Sequence, residues 1–387
     1  MPGRRPAGSI VSERCAVIVG ESVAGVTAAR ELRALGHRGT ITLVGADPYG
    51  SYYRPPLSKA VLEDSAADDT LGYRLDDLDL TGVRSGAVSA DVDRRTIVTG
   101  DGDTLSYDAL IIATGAEARR IAKPGQQGEL VLRTFDDARI LRSRLDTATS
   151  VIVVGAGFLG MEVVSACVAR AIPVTVIDVE PPLRTILGSY LSGVISARAE
   201  RHGVRVVRTT DFVTLSGDPV SGVALPDGAV LTADLVVTCA GEVPNTSWLA
   251  GTGLADRNGI GIDNACRTTV ADVYAAGDVT YRRADNRRAP FWSNAVAQGK
   301  VAAASALGLQ PTGAPDDNYF WTEILTTAIK VVGPLPLSGA PTRVDGDVAD
   351  GSALLTWHHD TGQATVVAYG VRKPIARLRA LAASPFK

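Results

Sequence analysis

Cysteine is scarce in this chain of 387 residues, and so are histidine and methionine: four, four and two. Cys15, Cys167, Cys239 and Cys266 lie far apart, and no two stand at the C-x-x-C or C-x4-C spacing of a redox dithiol. Cys15, Cys167 and Cys239 sit in apolar stretches and read as small core residues. His37, His202, His358 and His359 show no metal-ligand spacing, so no metal site is expected. His358 and His359 precede Asp360-Thr361-Gly362, the signal of a hairpin turn. No run of about eighteen apolar residues occurs, which excludes a hydrophobic transmembrane helix. The opening MPGRRPAGSIVSER is basic but lacks an apolar core, so no signal peptide is read and a cytoplasmic location is expected. A charge excess is missing too: 39 Lys and Arg against 42 Asp and Glu leave a net charge of −3. Nucleic acid and membrane surfaces favour basic proteins, so neither is an expected partner.

What is present is a globular balance, 45% hydrophobic and 21% charged, in a chain too long for one core. Two stretches share one plan. CAVIV at residues 15–19 is an apolar run that meets Gly20-Glu21-Ser22-Val23-Ala24-Gly25, then the helical VTAARELRALG, then ITLVG ending near Asp47. VIVV at residues 151–154 meets Gly155-Ala156-Gly157-Phe158-Leu159-Gly160, then MEVVSACVARA, then VTVI ending at Asp178. Each reads as strand, glycine turn, helix, strand, acid, so two nucleotide-binding α/β domains are expected. IIATGA at 111–116, LVVTCAGEVPNT at 235–246 and VYAAGDVT at 273–280 read as further buried strands. TFDDARILRSRL reads as a linker entering a helix. The Pro- and Gly-rich QPTGAPDDN marks a boundary. Beyond it, strands at IKVVG, ALLTWHH and ATVVAYG and a helix at PIARLRALAAS make a small mixed domain.

The second turn is complete. Gly155 allows the tight turn, Gly157 a close backbone approach to a pyrophosphate, and Gly160 close helix–strand packing. The helix N-terminus favours phosphate, and Asp178 stands where an acid accepts a ribose hydroxyl. The first turn departs from the pattern: Gly20 and Gly25 hold their places, Ser22 replaces the middle glycine, and Glu21 fills the position before it. Asp47 supplies the acid. A glutamate beside a pyrophosphate is repelled unless it points away.

In order and spacing these motifs resemble the FAD-dependent ferredoxin, rubredoxin and putidaredoxin reductases that serve oxygenases. The resemblance runs from about residue 15 to 335. It is carried by ADPYGSYYRPPLSKAVL, IIATGA, VGAGFLGME, AGEVPNTSWL, VYAAGDV, NAVAQG and FW in family order, with Arg54-Pro55-Pro56-Leu57-Ser58-Lys59 the most specific block. It implies an α/β fold of two Rossmann-like domains, for FAD and NAD, plus a small α+β C-terminal domain. The implied bounds are 1–120 and 245–312 for FAD, 121–244 for NAD, and 313–387 for the C-terminal domain. It implies NADH and FAD as cofactors. Gly20, Ser22, Gly25, Asp47, Arg54, Lys59, Thr114, Gly115, Gly277, Asp278, Trp292 and Trp321 would lie along FAD, and Gly155, Gly157, Gly160, Glu162 and Asp178 along NADH. Lys59, Glu162 and Trp321 are the candidate catalytic residues. Lys59 would stabilise an anionic reduced ring. Glu162 would border the nicotinamide, or else be a helix N-terminal acid that suits the dipole. Asp178 favours NADH over NADPH, with Arg184 the one nearby cation against it.

The implied activity passes electrons from NADH through FAD to a ferredoxin-like iron–sulfur protein that feeds an oxygenase. A flavin-dependent NADH oxidase, a tailoring reductase and a non-catalytic redox-responsive binding protein are the alternatives, and a monomer or homodimer is expected. Two segments depart from the family pattern: Ala289-Pro290-Phe291-Trp292, which lacks the usual Glu-His before Trp, and Thr322-Glu323-Ile324-Leu325, which lacks the usual Gln-Tyr. FAD is expected to bind less tightly because of Glu21 and Ser22. An acidic partner is expected to dock on arginines 282, 283, 287 and 288 and on Arg372, Lys373, Arg377 and Arg379.

Overall fold

A computed structural model describes residues 14–313 and 316–383. The leader reading of the first residues and part of the 310–318 boundary lie outside the described residues. Among the described residues no helix is long and apolar enough to cross a membrane.

The chain falls into two compact units: Met1–Tyr53, Leu71–Glu117 and Val243–Asp317 in one, Arg54–Thr70, Ala118–Glu242 and Asn318–Lys387 in the other. The block Arg54–Lys59 thus groups with the second. The first unit is organised by a five-stranded sheet in the order Val273–Ala275, Ala109–Ile112, Ala16–Val19, Ile41–Val44, Thr81–Val83. Every pairing in it is parallel. Ala16–Val19 and Ile41–Val44 are buried at all four positions, which is why both read as unbroken aliphatic runs and not as alternations. Helices Val23–Ala34 and Trp292–Ala306 pack closely there: a side chain on Gly299 would come within 2.6 Å of the Ala24 carbonyl.

The second unit repeats the plan. Its parallel sheet runs Arg205–Arg208, Val174–Asp178, Val151–Val154, Leu235–Thr238. Helix Phe158–Ala169 follows the central strand. Helix Phe135–Leu145 begins at a capping box: the Thr134 hydroxyl accepts from the Asp137 N–H, and the Asp137 carboxylate accepts from the Thr134 N–H. A five-stranded antiparallel sheet closes the chain in the order Tyr319–Ile324, Thr327–Val332, Ala364–Tyr369, Ser352–His358, Arg343–Asp347. Helix Ile375–Ala382 buries Leu378 against Val332, Val366 and Ala368 of that sheet. His358 and His359 sit at the hairpin entering Ala364–Tyr369, bonded to Thr342 and Thr365 hydroxyls.

The loop 65–70 is tied to helix Phe135–Leu145 by a bidentate Arg142–Asp68 pair at 2.8 and 2.9 Å. The Arg142 guanidinium holds the Asp68 carboxyl below the usual carboxylate range. A depressed folded pKa gives stability that is present above the unfolded value near 4 and is lost as pH falls through the folded value. Asp68→Asn is therefore expected to cost about 1 kcal/mol at neutral pH, with the gap to wild type narrowing as pH falls through the depressed folded value. Urea unfolding over a series of falling pH values checks it; a gap that never narrows would contradict the assignment.

Candidate functional site

In each unit the glycine turn lies between the central parallel strand and the helix that follows. Gly20 and Gly155 have φ of +113° and +108°, and a side chain on either would run into backbone, at 2.1 Å from the Ala113 carbonyl and 2.3 Å from the Cys239 carbonyl. Gly25 and Gly160 are held by their own turns: an added Cβ would lie 1.9 Å from the carbonyls of Gly20 and Gly155. Gly157 differs, because a Cβ there meets nothing within 4 Å. No protein packing requires glycine at that position, so close approach of a ligand remains as its reason. Neither helix carries an acid in its first turn. Two N-termini with bare backbone approach fit the pyrophosphates of two dinucleotides.

The acids stand at the strand ends. In the second unit, Asp178 Oδ2 accepts from the Ala156 N–H of the glycine turn at 2.6 Å, and Oδ1 accepts from the Glu180 N–H at 3.2 Å. Arg184, read from the sequence as a loop residue, is the first residue of helix Arg184–Arg201 and is exposed. A second cation escaped sequence reasoning: exposed Arg208 pairs in register with Asp178 on the neighbouring strand. Close behind it, Phe212 is 88% exposed. In the first unit, Asp47 Oδ2 accepts from the Tyr52 hydroxyl at 2.8 Å and Oδ1 from the Tyr49 N–H at 3.1 Å. Glu21 does not turn to the helix N-terminus. Its Oε2 accepts from Arg84 at 3.2 Å and lies 3.4 Å from the Ser51 hydroxyl.

The second unit also brings together residues far apart in sequence. Glu162, on helix Phe158–Ala169, is buried. Its Oε1 meets Lys59 Nζ at 2.7 Å and accepts from the Thr322 hydroxyl at 2.6 Å, while the Ser58 hydroxyl donates to Oε2. Lys59 also donates to the Pro55 carbonyl at 3.3 Å. Glu162 is thus the acceptor for three side chains and not a dipole cap. Ser58 and Thr322 were missed as site residues, although both lie in blocks that the sequence singled out. Arg54 donates to the Arg133 carbonyl at 2.9 Å. Thr322 alternates with Trp321 along Tyr319–Ile324, so Trp321 lies on the opposite face, stacked on Tyr319 at 5.7 Å. The turn that follows, Leu325-Thr326, has φ of 48° and 65°, a conformation these residues rarely adopt. It is held by Arg198, which donates to the Leu325 carbonyl at 2.7 Å, and by Ser165, which accepts from the Leu325 N–H at 2.8 Å.

The remaining candidates lie in the first unit. The Thr114 hydroxyl donates to the Asn245 carbonyl at 2.8 Å, the Asn245 amide returns a bond to the Thr114 carbonyl at 2.9 Å, and the Gly115 carbonyl accepts from the Asn245 N–H. The Gly277 N–H donates to Gln298 at 2.7 Å. Trp292 stands edge-on to Tyr53 at 5.7 Å. The arginine run beside Asp278 is partly paired within the first unit. Arg282 is clamped by Asp285 and Asp316, Arg283 donates to the Gly261 carbonyl at 3.0 Å, and Arg288 donates to the Asp278 carbonyl at 2.5 Å. Asp285, within the run, and Asp316, beyond it, both pair with Arg282, while Arg283 and Arg287 stay exposed. All four cysteines are free thiols. Burial pushes Cys167 and Cys239 up to about 12, and Cys266 and Cys15 upward as well, so they stay protonated at neutral pH.

Residues 15–299 match the family described as pyridine nucleotide-disulphide oxidoreductase. The chain is 32% identical to a rubredoxin-NAD(+) reductase of Pseudomonas putida, covering 82% of this chain and 86% of the relative. It is 35% identical to the rhodocoxin reductase of Rhodococcus erythropolis, covering 85% and 79%. It is 33% identical to the ferredoxin reductase component of a chlorobenzene dioxygenase from Cupriavidus sp. (strain PS12), covering 93% and 90%. Among solved structures, a ferredoxin reductase from Rhodopseudomonas palustris aligns with a TM-score of 0.82 at 28% identity, over 92% of this chain and 91% of that one. The reductase of the covalent putidaredoxin reductase–putidaredoxin complex aligns at 0.83 and 27%, over 96% and 92%.

Proposed function

The chain belongs to the pyridine nucleotide-disulphide oxidoreductase family, and from that premise we propose that it is an NADH-dependent FAD flavoprotein delivering electrons to a ferredoxin-like iron–sulfur protein of an oxygenase system. The observation that carries the reading is the pair of glycine turns, each ending a parallel strand, opening a helix and facing an acid on the next strand. The relatives named as ferredoxin or rubredoxin reductases supply the direction of electron flow.

FAD, when bound, would supply the chemistry that links two-electron transfer from NADH to one-electron delivery. The protein's own work is positioning. The turn Gly155–Gly160 receives the NADH pyrophosphate on a helix N-terminus, and Asp178 accepts a ribose hydroxyl and disfavours a 2′-phosphate. The turn Gly20–Gly25 does the same for FAD. Lys59 is the cation that favours the reduced, anionic ring, and Glu162 fixes its ammonium through a short ion pair. Trp321, Trp292, Arg54, Thr114, Gly115, Gly277 and Asp278 remain proposed flavin neighbours. With no two cysteines at redox-dithiol spacing, electrons are expected to leave from the flavin and not through a dithiol.

Of the two basic segments expected to meet a partner, the C-terminal one is the proposed docking surface. Lys330, opposite Trp321 in register, shares a face with helix Ile375–Ala382, and Arg372, Lys373, Arg377 and Arg379 are exposed around that helix. Such a surface speeds encounter with an acidic partner and does so less in salt, by about tenfold or more across the range where charges become screened. The test is steady-state reduction of an acidic iron–sulfur ferredoxin at rising ionic strength, in wild type and in a variant with those four cations changed to Ser. The wild-type rate should fall with salt, and the variant should be slow at low salt while NADH still reduces its flavin. Equal rates at low salt would remove this surface from the account.

A further inference from the structure

Phe212 is a large apolar side chain left 88% exposed, just beyond the edge strand of the second unit's parallel sheet. That sheet runs Arg205–Arg208, Val174–Asp178, Val151–Val154, Leu235–Thr238, so the strand ending at Asp178 lies between the edge strand and the one that leads into the glycine turn. Because the strands are parallel, the turn after Val154, the Asp178 carboxylate and the loop after Arg208 all leave the same end of the sheet. The loop is held there: the Thr209 N–H donates to the Asp178 carbonyl at 2.9 Å. Its own groups close it, the Thr209 hydroxyl donating to the Asp211 carbonyl at 2.9 Å and the Asp211 carboxylate accepting from the Phe212 N–H at 2.7 Å. Three residues of chain keep the Phe212 α-carbon within about 11 Å of that of Thr209. Val179, directly after Asp178, is 40% exposed, so two apolar side chains stand open beside the same acid. A phenyl ring left in water forfeits the stabilisation that burial would give it.

We infer that Phe212 is the stacking surface for the adenine of NADH. A dinucleotide lying across this end of the sheet has its direction fixed by two points. Its pyrophosphate belongs on the turn Gly155–Gly160, and its adenosine ribose on Asp178, one strand nearer the edge. The base leaves that sugar at C1′ and the phosphates leave it at C5′, so the next step outward carries the adenine over Arg205–Arg208 and the loop behind it. A purine has flat faces that an aromatic ring covers at little conformational cost. One phenyl ring and one valine match the size of a base, and fall well short of the roughly 800 Å² per partner of a stable protein interface. The turn, the acid and the ring thus divide the adenosine half among them as phosphate, ribose and base.

The assignment rests on the reading that this unit binds NADH, and the experiment separates the two. Binding of NAD+ and of ADP-ribose, which keeps the adenosine and pyrophosphate but has no nicotinamide, is measured by isothermal titration of the holoprotein in wild type, Phe212→Ala and Phe212→Trp. Loss of the stacking surface should weaken NAD+ by about fivefold or more in Phe212→Ala, and ADP-ribose by the same factor. Phe212→Trp, which keeps a flat ring, should hold both ligands within about twofold of wild type. Without ligand, Phe212→Ala should melt with wild type, since the ring is almost wholly in solvent. A lowered melting temperature would make the ring a packing residue and overturn the assignment. So would NAD+ bound equally by wild type and Phe212→Ala, ADP-ribose untouched by a change that weakens NAD+, or a Trp variant as weak as the Ala one. A wild type that binds neither ligand would overturn the NADH reading and the assignment with it.

Discussion

Gly157→Val is expected to fold normally and keep its flavin, yet to bind NADH about 100-fold more weakly or worse, a loss of about 2.7 kcal/mol. The three glycines of the second turn do different work. Gly155 and Gly160 are demanded by the protein itself, since a Cβ on either would lie within 2.3 Å of a backbone carbonyl. Substituting them confuses folding with binding. Gly157 faces open space and has an ordinary backbone conformation as the N-cap of helix Phe158–Ala169. A valine there disturbs nothing in the chain but stands where a pyrophosphate must approach the helix N-terminus. Isothermal titration with NAD+ and the melting temperature of the holoprotein read the two effects separately. Unchanged affinity would mean that the dinucleotide does not lie on this turn. A large fall in melting temperature would mean that the open space is not open.

Lys59→Met should lower stability by about 3 kcal/mol, because it leaves the buried Glu162 carboxylate without its cation. The hydroxyls of Ser58 and Thr322 still donate to it, but neither carries charge. Adding Glu162→Gln to the same chain should return most of the loss, since a neutral amide needs no counterion. The coupling between the two sites, measured by urea unfolding in a double-mutant cycle, is then large and favourable to the native pair. Additive effects of the two substitutions would show that the ion pair contributes little. The rate of flavin reduction by NADH in Lys59→Met, at matched folded fraction, tests the proposed role of its charge at the flavin separately from stability.

The two nucleotide halves were legible because their signals are local. Four-residue aliphatic strands buried on both faces, glycines at fixed offsets and an acid at the next strand end all fall within about thirty residues. The three-stranded antiparallel inserts were not legible. Strands such as Ala87–Asp91 and Val230–Thr232 are short and not fully buried at any position, so they carry neither a long aliphatic run nor a full alternation. The Glu162 cluster was half visible. Lys59 and Glu162 came from motif resemblance, but the bonds from Ser58 and Thr322 span 104 and 160 positions, and no periodicity reports such pairings. In the arginine loop, Asp316, 34 positions from Arg282, adds a contact to that one arginine that a charge count over neighbours does not contain.

The central claim is that one chain holds FAD on its first glycine turn and receives hydride from NADH bound on its second. Anaerobic titration of the purified protein with NADH tests it most directly. The protein should be yellow, one equivalent of NADH should bleach the flavin colour, and NADPH should act more slowly because of Asp178. Subsequent addition of an oxidised iron–sulfur ferredoxin should restore the colour. A colourless protein that takes up no FAD, or a bound flavin that NADH leaves oxidised, would contradict the account.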